Sequence, residues 1–160
     1  NIVIKKKKKA SIDVVIVGDG SLKNELEAKV ISSKIKYIHF FGELNESEKA
    51  YCIQHAAALI LPSFLRSEAF GLSLVEGLAM GKPLISTELG TGTSWVNKDG
   101  KTGFVVQPKN SDALAQAMKK IIAHPKTARE FGTAARKRYL EKFTKHQMAT
   151  SHKILIEQIS

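Results

Sequence analysis

Short apolar runs alternate with amphipathic stretches along most of the chain. The first run, Ile12–Val17, is rich in β-branched residues and ends at Gly18, as expected of a strand buried on both faces of a parallel sheet. The same pattern predicts four further strands, at residues 37–41, 58–61, 84–87 and 103–106. Helices are predicted between these strands. Three of the predicted helices, in the regions beginning near residues 21, 47 and 111, have Ser21, Ser47 and Ser111 as expected N-caps.

The C-terminal third of the chain has the spacing of helices. Pro125 is expected near the first turn of one of them. Residues 144–160 are predicted to form a C-terminal helix with Met148, His152, Leu155 and Ile159 on one face. The apolar stripe of Met148, Leu155 and Ile159 is expected to be partly exposed. Strands alternating with helices predict an α/β fold with a doubly wound, mostly parallel, Rossmann-like sheet and C-terminal helices. A length of 160 residues fits one domain.

The N-terminal ten residues pass from apolar to strongly basic, and the chain opens on Asn1 rather than Met. We expect residues 1–10 to be the end of a helix and the chain to be a piece of a longer protein. Five consecutive lysines at positions 5–9 suit the solvated C-terminal end of such a helix. The alternatives are attraction to an anionic membrane surface and a nucleic-acid patch, although no aromatic residue interleaves the lysines.

Composition narrows the classes of partner. Lys and Arg number 25 against 15 for Asp and Glu, so the net charge of +10 favours an anionic partner without choosing among phosphate, nucleic acid and membrane. A single cysteine, Cys52, excludes a disulfide scaffold and is interpreted as a small buried hydrophobe. The five histidines show no metal-ligand spacing with Cys or carboxylates, so no metal site is predicted.

Glycines cluster where predicted strands end. Six of the 11 glycines lie in such loops: Gly18, Gly20, Gly42, Gly71, Gly90 and Gly92. Because glycine lets the backbone approach a ligand closely, the cluster predicts a site at the carboxyl edge of the sheet, although glycines can also simply mark turns. A dinucleotide site is not predicted, because Lys23 stands where that fingerprint needs its third glycine.

The segment from Pro62 to Pro83 carries the most specific chemistry. Glu68 lies in a loop after a strand, Gly71 allows a turn, and Glu76 lies one turn into the following helix. The backbone amides at this helix N-terminus are expected to be free to bind an anion; they belong to Phe70, Gly71, Leu72 and Ser73. An anion site between two carboxylates suits a nucleoside-diphosphate sugar. Alternatively, Glu76 merely complements the helix dipole.

This E-x₇-E spacing, followed by Gly81-Lys82-Pro83 and a strand, resembles the donor half of the family-four retaining glycosyltransferases, which have the GT-B fold. The resemblance runs from about residue 12 to residue 143 and includes residues 15–20, 41–42, 61–63 and 101–106. Residues 86–97 depart from the usual Gly-Gly loop followed by a Glu. They are similar to a subgroup of bacterial lipopolysaccharide mannosyltransferases that use GDP-mannose.

The resemblance implies a role for each matching residue. Glu68 would bind hydroxyls of the donor sugar and is the predicted catalytic residue, and Glu76 would accept hydrogen bonds from the ribose. Gly42 and Glu43 would border the base, and Arg66 is a candidate phosphate contact by its position. The full set of implied donor-binding residues is Gly18, Gly42, Glu43, Arg66, Phe70, Gly71, Leu72, Ser73, Glu76, Gly90, Thr91 and Gly92.

The resemblance also implies a reaction: metal-independent, retaining transfer of a hexose from a nucleotide sugar to a hydroxyl of a saccharide or lipid-linked acceptor. It would serve lipopolysaccharide or other cell-surface polysaccharide synthesis, in the cytoplasm or peripherally at the inner face of the cytoplasmic membrane. GDP-mannose is the expected donor. A UDP-sugar remains open, and so does a non-catalytic nucleotide- or phosphate-binding module; a nucleic-acid partner is not expected.

Residues 1–160 would form only the nucleotide-sugar-binding domain of that enzyme. Family members carry a Gly-Arg pair and a downstream Lys on the first strand and loop of this domain, and those cations neutralise the diphosphate. We expect that strand and the acceptor domain to be absent from these 160 residues. Because the leaving diphosphate needs preorganised positive groups, the chain is expected to bind donor weakly without turning it over.

Overall fold

The structure is a computed structural model that describes residues 2–6 and 12–159. These residues contain six strands, at β1 Ile2–Lys6, β2 Ile12–Val17, β3 Ile38–Gly42, β4 Ala58–Leu61, β5 Leu84–Thr87 and β6 Gly103–Val106. They also contain seven helices, at α1 Lys23–Ser32, α2 Glu46–His55, α3 Leu72–Ala79, α4 Thr93–Val96, α5 Ser111–Ala123, α6 Pro125–Lys142 and α7 Lys145–Ile159.

The six strands form one sheet in the order β3-β2-β1-β4-β5-β6. β2 is parallel to β3, β4 to β5, and β5 to β6, whereas β1 is antiparallel to both of its neighbours. This order is that of a doubly wound Rossmann sheet, so the predicted fold class is confirmed.

The N-terminal segment is a strand rather than the predicted helix end. Val3 pairs with Val15 of β2 on one side and with Leu59 of β4 on the other, which places β1 in the middle of the sheet. β-branched residues at positions 2–4 suit that place. Since only five residues separate β1 from β2, the connection is too short for a parallel crossover, and the pair is antiparallel. Lys7 to Lys9 lie outside the described residues.

Side chains of the central strands alternate between two cores, one on each face of the sheet. Leu59 and Leu61 of β4 pack on one face in a cluster that includes Leu74 and Leu78 of α3. Ile60, between them in the sequence, packs on the other face in a cluster with residues of α5 and α6. Burial on both faces explains the continuous apolar runs that predict these strands.

The predicted serine caps are wrong, because an asparagine just before each of two helices takes that role. Asn45 caps α2 and forms a capping box with Glu48, and Asn110 caps α5 by accepting from the amide of Ala113. Ser47 and Ser111 therefore lie inside the first turns. α1 begins after Leu22 with no side-chain cap, so Ser21 has no capping role. α4 is a single turn and has no periodicity from which it could be predicted.

Two further expectations concern exposure. Met148 and Leu155 of α7 are 59% and 57% exposed, which confirms the predicted exposure of that stripe; the side chain of Ile159 is outside the described part. Cys52 is only half-buried and lines a cavity of about 430 Å³ with Phe41 and Tyr51, so its interpretation as a core residue is wrong.

Cations from distant parts of the chain complete the C-terminal ends of three helices. The Lys82 ammonium donates to the carbonyl of Gln54 at the end of α2 over 2.6 Å, and Arg136 donates to the carbonyl of Ala79 at the end of α3. Arg138 donates to the carbonyl of Val96 over 3.0 Å and also to that of Trp95, at the end of α4. These bonds satisfy carbonyls that the helices leave unpaired and complement the helix dipoles.

Arg138 offers a test of this arrangement, because its guanidinium also lies over the rings of Trp95 and Phe143. Replacing it in Arg138→Ala leaves two carbonyls without their charged donor, and we expect the free energy of unfolding to fall by about 1.5–3 kcal/mol. Urea denaturation checks this. Lys137→Ala, at the exposed neighbouring position, is the matched control and should stay within about 0.5 kcal/mol of wild type. Equal losses in the two variants would contradict this role.

Candidate functional site

The loop between β4 and α3 holds Glu68 against the start of the helix. The Gly71 amide donates to Oε1 of Glu68 over 3.1 Å, and no described residue donates to Oε2 of that carboxylate. The Gly71 amide is therefore occupied, in contrast to the expectation that it is free. The amides of Phe70, Leu72 and Ser73 donate to no group in the described part of the chain. Three of the four expected donors thus remain available at this helix N-terminus.

Gly71 makes the sharp entry into α3 possible. Its φ of +83° lies in the left-handed region, which glycine adopts without strain. A Cβ at this position would approach side-chain carbons of Leu74 and Leu61 at 2.9 and 3.0 Å. The turn therefore needs glycine both for its backbone conformation and for space.

The loop after β5 packs directly on the Glu68 loop. The Gly92 amide donates to the carbonyl of Ala69 over 2.8 Å, and the Thr91 hydroxyl donates to the carbonyl of Glu68 over 2.9 Å. A Cβ on Gly92 would lie 2.8 Å from that same Ala69 oxygen, so only glycine permits this approach. The structure thus places Thr91 and Gly92 against the backbone of the loop that carries Glu68.

Glu88 organises this second loop and was missed in the sequence analysis. Its Oε1 accepts from the Gly90 amide over 2.9 Å and from the Ser94 hydroxyl over 2.8 Å. These two hydrogen bonds hold the pKa of Glu88 below its ordinary value, so the carboxylate is charged at neutral pH. Its two partners lie two and six residues further along the chain, and no pattern of residue types in the sequence singles out this glutamate.

Arg66 reaches across to the same loop. One guanidinium nitrogen donates to the carbonyl of Gly90 at 3.4 Å, and no other described residue accepts a hydrogen bond from this side chain. Arg66 is exposed, so most of its N–H groups face solvent. Its position is compatible with contact to an anionic ligand.

Glu76 lies on α3, one turn beyond the amides at the start of that helix. Its Oε1 accepts from the ammonium of Lys49 on α2 over 2.8 Å, while its Oε2 is buried and has no hydrogen-bond partner among the described residues. The bond to Glu76, followed by that to Glu46, raises the pKa of Lys49, so the lysine is charged at neutral pH. Lys49 was not predicted, because it lies 27 residues from Glu76 and no local pattern joins them.

A separate group of predicted residues lies at the ends of β2 and β3. The Gly18 amide donates to the carbonyl of Gly42 over 2.7 Å, and the Lys23 ammonium pairs with Asp19 at 2.9 Å. Glu43 is exposed beside Gly42. Among the described residues, no hydrogen bond joins this group to the loop that carries Glu68, although both lie where strands of the sheet end.

The described residues contain no candidate for a metal site or for a membrane-spanning helix. No group of three or more His, Cys, Asp and Glu side chains is arranged to hold a metal ion. Within the same residues, none of the helices combines the length and the apolar character that crossing a membrane requires.

Comparison with known proteins places this chain in a family. Residues 3–138 match the family described as "Glycosyl transferases group 1". The chain is 47% identical over 131 residues to D-rhamnosyltransferase WbpZ of Pseudomonas aeruginosa, which covers 82% of this chain and 34% of that protein. It is 36% identical over 152 residues to O-antigen chain mannosyltransferase C of Escherichia coli. That match covers 95% of this chain and 41% of that protein.

A solved glycosyltransferase from Rickettsia africae shares 26% identity at a TM-score of 0.78, over 91% of this chain and 39% of that one. The chain thus spans between about a third and two fifths of the length of the two curated relatives. The match over most of the chain, together with the Rossmann-like sheet, shows that this chain belongs to the group 1 glycosyl transferases, whose fold is GT-B.

Proposed function

We propose that the carboxyl edge of the sheet binds a nucleoside-diphosphate hexose, GDP-mannose, for transfer of the sugar to an acceptor hydroxyl. The observation that carries this proposal is the arrangement at α3, where available backbone amides lie between Glu68 and a Glu76 whose Oε2 is buried and unpartnered. Similarity to an O-antigen mannosyltransferase and to a rhamnosyltransferase supports a place in lipopolysaccharide synthesis.

Each part of the donor has a counterpart at the site. The amides of Phe70, Leu72 and Ser73 and the positive end of the helix dipole would meet the diphosphate. The guanidinium of Arg66 adds charge on the side of Gly90. Because its Oε1 is held by the Gly71 amide, Glu68 would offer Oε2 to the hydroxyls of the sugar.

These contacts assign a role in the reaction to each group. The bond between the sugar C1 and the diphosphate breaks, a bond from C1 to the acceptor oxygen forms on the same face, and the acceptor proton leaves with the diphosphate. Glu68 would orient the sugar for this step. Amides at the helix N-terminus would stabilise the charge that develops on the leaving diphosphate without a metal ion.

The two curated relatives are more than twice as long as these 160 residues. We propose that the acceptor, a saccharide or a lipid-linked saccharide, is bound outside residues 1–160, and that transfer takes place on the cytoplasmic side of the membrane. The 160-residue chain itself is expected to bind donor and to transfer no sugar.

Calorimetric titration of the chain with GDP, GDP-mannose, UDP and UDP-glucose tests the proposal. We expect GDP and GDP-mannose to compete for one site, and Glu68→Gln to weaken GDP-mannose by about 10-fold or more while GDP stays within about twofold, because a hydrogen bond to a charged group is worth about 1.5–3 kcal/mol. Binding of UDP and UDP-glucose without binding of GDP or GDP-mannose would mean that the donor carries uracil rather than guanine. If Glu68→Gln left both ligands unaffected, a non-catalytic nucleotide-binding module would be the better description.

A further inference from the structure

We infer that Lys49 is a positioning residue for the nucleotide: it fixes the carboxylate of Glu76 by one oxygen, so that the other has no partner in the protein and is left for a hydroxyl of the ribose. This inference rests on the proposed function, in which Glu76 accepts a ribose hydroxyl. Lys49 lies on α2 and Glu76 on α3, so the pair also ties together two helices that flank the site.

The two oxygens of Glu76 have different surroundings. Oε1 is held by the Lys49 ammonium at 2.8 Å, whereas Oε2 is buried with no donor in the described part of the chain. A buried carboxylate oxygen without a hydrogen bond is costly, and buried polar atoms are nearly always paired. A ligand hydroxyl that reaches this oxygen and donates to it would remove that cost, which is why the unpartnered oxygen points to a ligand rather than to packing.

Lysine suits this task better than arginine. An ammonium is a compact charge that engages one oxygen, whereas a guanidinium presents parallel N–H groups that match both oxygens of a carboxylate. The second partner of Lys49 is Glu46 at 2.9 Å, whose side chain is 88% exposed. Glu46 therefore holds the ammonium from the solvent side and leaves the inner contact to Glu76.

The ribose dependence of binding separates positioning from a merely structural role. Calorimetric titrations would compare GDP with its 2′-deoxy and 3′-deoxy analogues in wild type, Lys49→Met, Glu76→Gln and the double variant; the UDP series is used if the chain binds UDP instead. We expect Lys49→Met to weaken the ribonucleotide about 5- to 50-fold and to shrink its advantage over the deoxy analogues. The double variant should bind no more weakly than Glu76→Gln alone, because the two residues act through one contact.

Lys137→Met is the matched control, because Lys137 forms an exposed ion pair with Glu141 at 3.8 Å on α6. It should change affinity less than twofold. If Lys49→Met does not fold, as judged by circular dichroism, Lys49→Gln takes its place in the same comparison.

Three outcomes would overturn the inference, and they point to different errors. In the first, Lys49→Met keeps the wild-type affinity and ribose preference while Glu76→Gln binds more weakly. That result would remove the role of Lys49 and leave the proposed function intact. A double variant much weaker than either single variant would place Lys49 on the ligand itself. Wild-type binding by Glu76→Gln would instead remove Glu76 from the site and the proposed function with it.

Discussion

Glu76→Gln is expected to lower the affinity for the nucleotide about 10- to 150-fold. The amide keeps the size of the side chain but removes the charge, and a hydrogen bond to a charged group is worth about 1.5–3 kcal/mol. The loss should be the same for the bare nucleotide and for the nucleotide sugar, because the proposed contact is to the ribose. Calorimetric titration with GDP and GDP-mannose measures it.

The stability of the variant decides between binding and packing. Glu76 is 34% exposed and lies outside the two core clusters, so we expect its melting temperature to change little. Glu68→Gln serves as the matched control, since it should affect only the sugar-bearing ligand. Normal GDP binding by Glu76→Gln, combined with a melting temperature several degrees lower, would mean that this carboxylate is structural.

Gly71→Ala is expected to lower the free energy of unfolding by about 2–4 kcal/mol. Part of this is the cost of the left-handed backbone for a residue with a Cβ, about 1–2 kcal/mol. The rest comes from crowding of Leu74 and Leu61, both of which are buried in the core. Because the turn sets the start of α3 against Glu68, donor affinity should fall as well. Urea denaturation and calorimetry measure the two effects.

Gly100→Ala is the control that measures the cost of the left-handed backbone without the crowding. Gly100 has a φ of +67° and no atom within 4 Å of the position that a Cβ would take. It should therefore lose only the strain of about 1–2 kcal/mol and keep wild-type donor binding. Equal losses at the two positions would show that the space at Gly71 is not limiting.

The sequence predicts the sheet well because burial on two faces leaves a local mark. The run at Ile12–Val17 and the short run that forms β4 are apolar at nearly every position, and the structure has strands there. β1 escaped prediction because its lysines resemble a helix end, while its place depends on pairing with Val15 and Leu59 far along the chain. The caps were misplaced by one or two residues because several polar residues adjoin each helix start.

The candidate site also contains residues that a local sequence pattern predicts and residues that only the fold brings together. Glu68, Gly71 and Glu76 lie within nine residues, so their spacing could be interpreted directly from the sequence. Contacts between Thr91 and Glu68, 23 residues apart, and between Lys49 and Glu76, 27 apart, depend on how the strands are ordered. No local pattern encodes that order, which is why Lys49 emerged only from the structure.

The most direct test of the donor site is the structure of this chain bound to GDP-mannose. We expect a ribose hydroxyl at hydrogen-bond distance, about 3 Å, from Oε2 of Glu76, with diphosphate oxygens at the amides of Phe70, Leu72 and Ser73. Nucleotide bound away from the carboxyl edge, for example in the groove of about 780 Å³ beside Lys82 and Arg136, would contradict it.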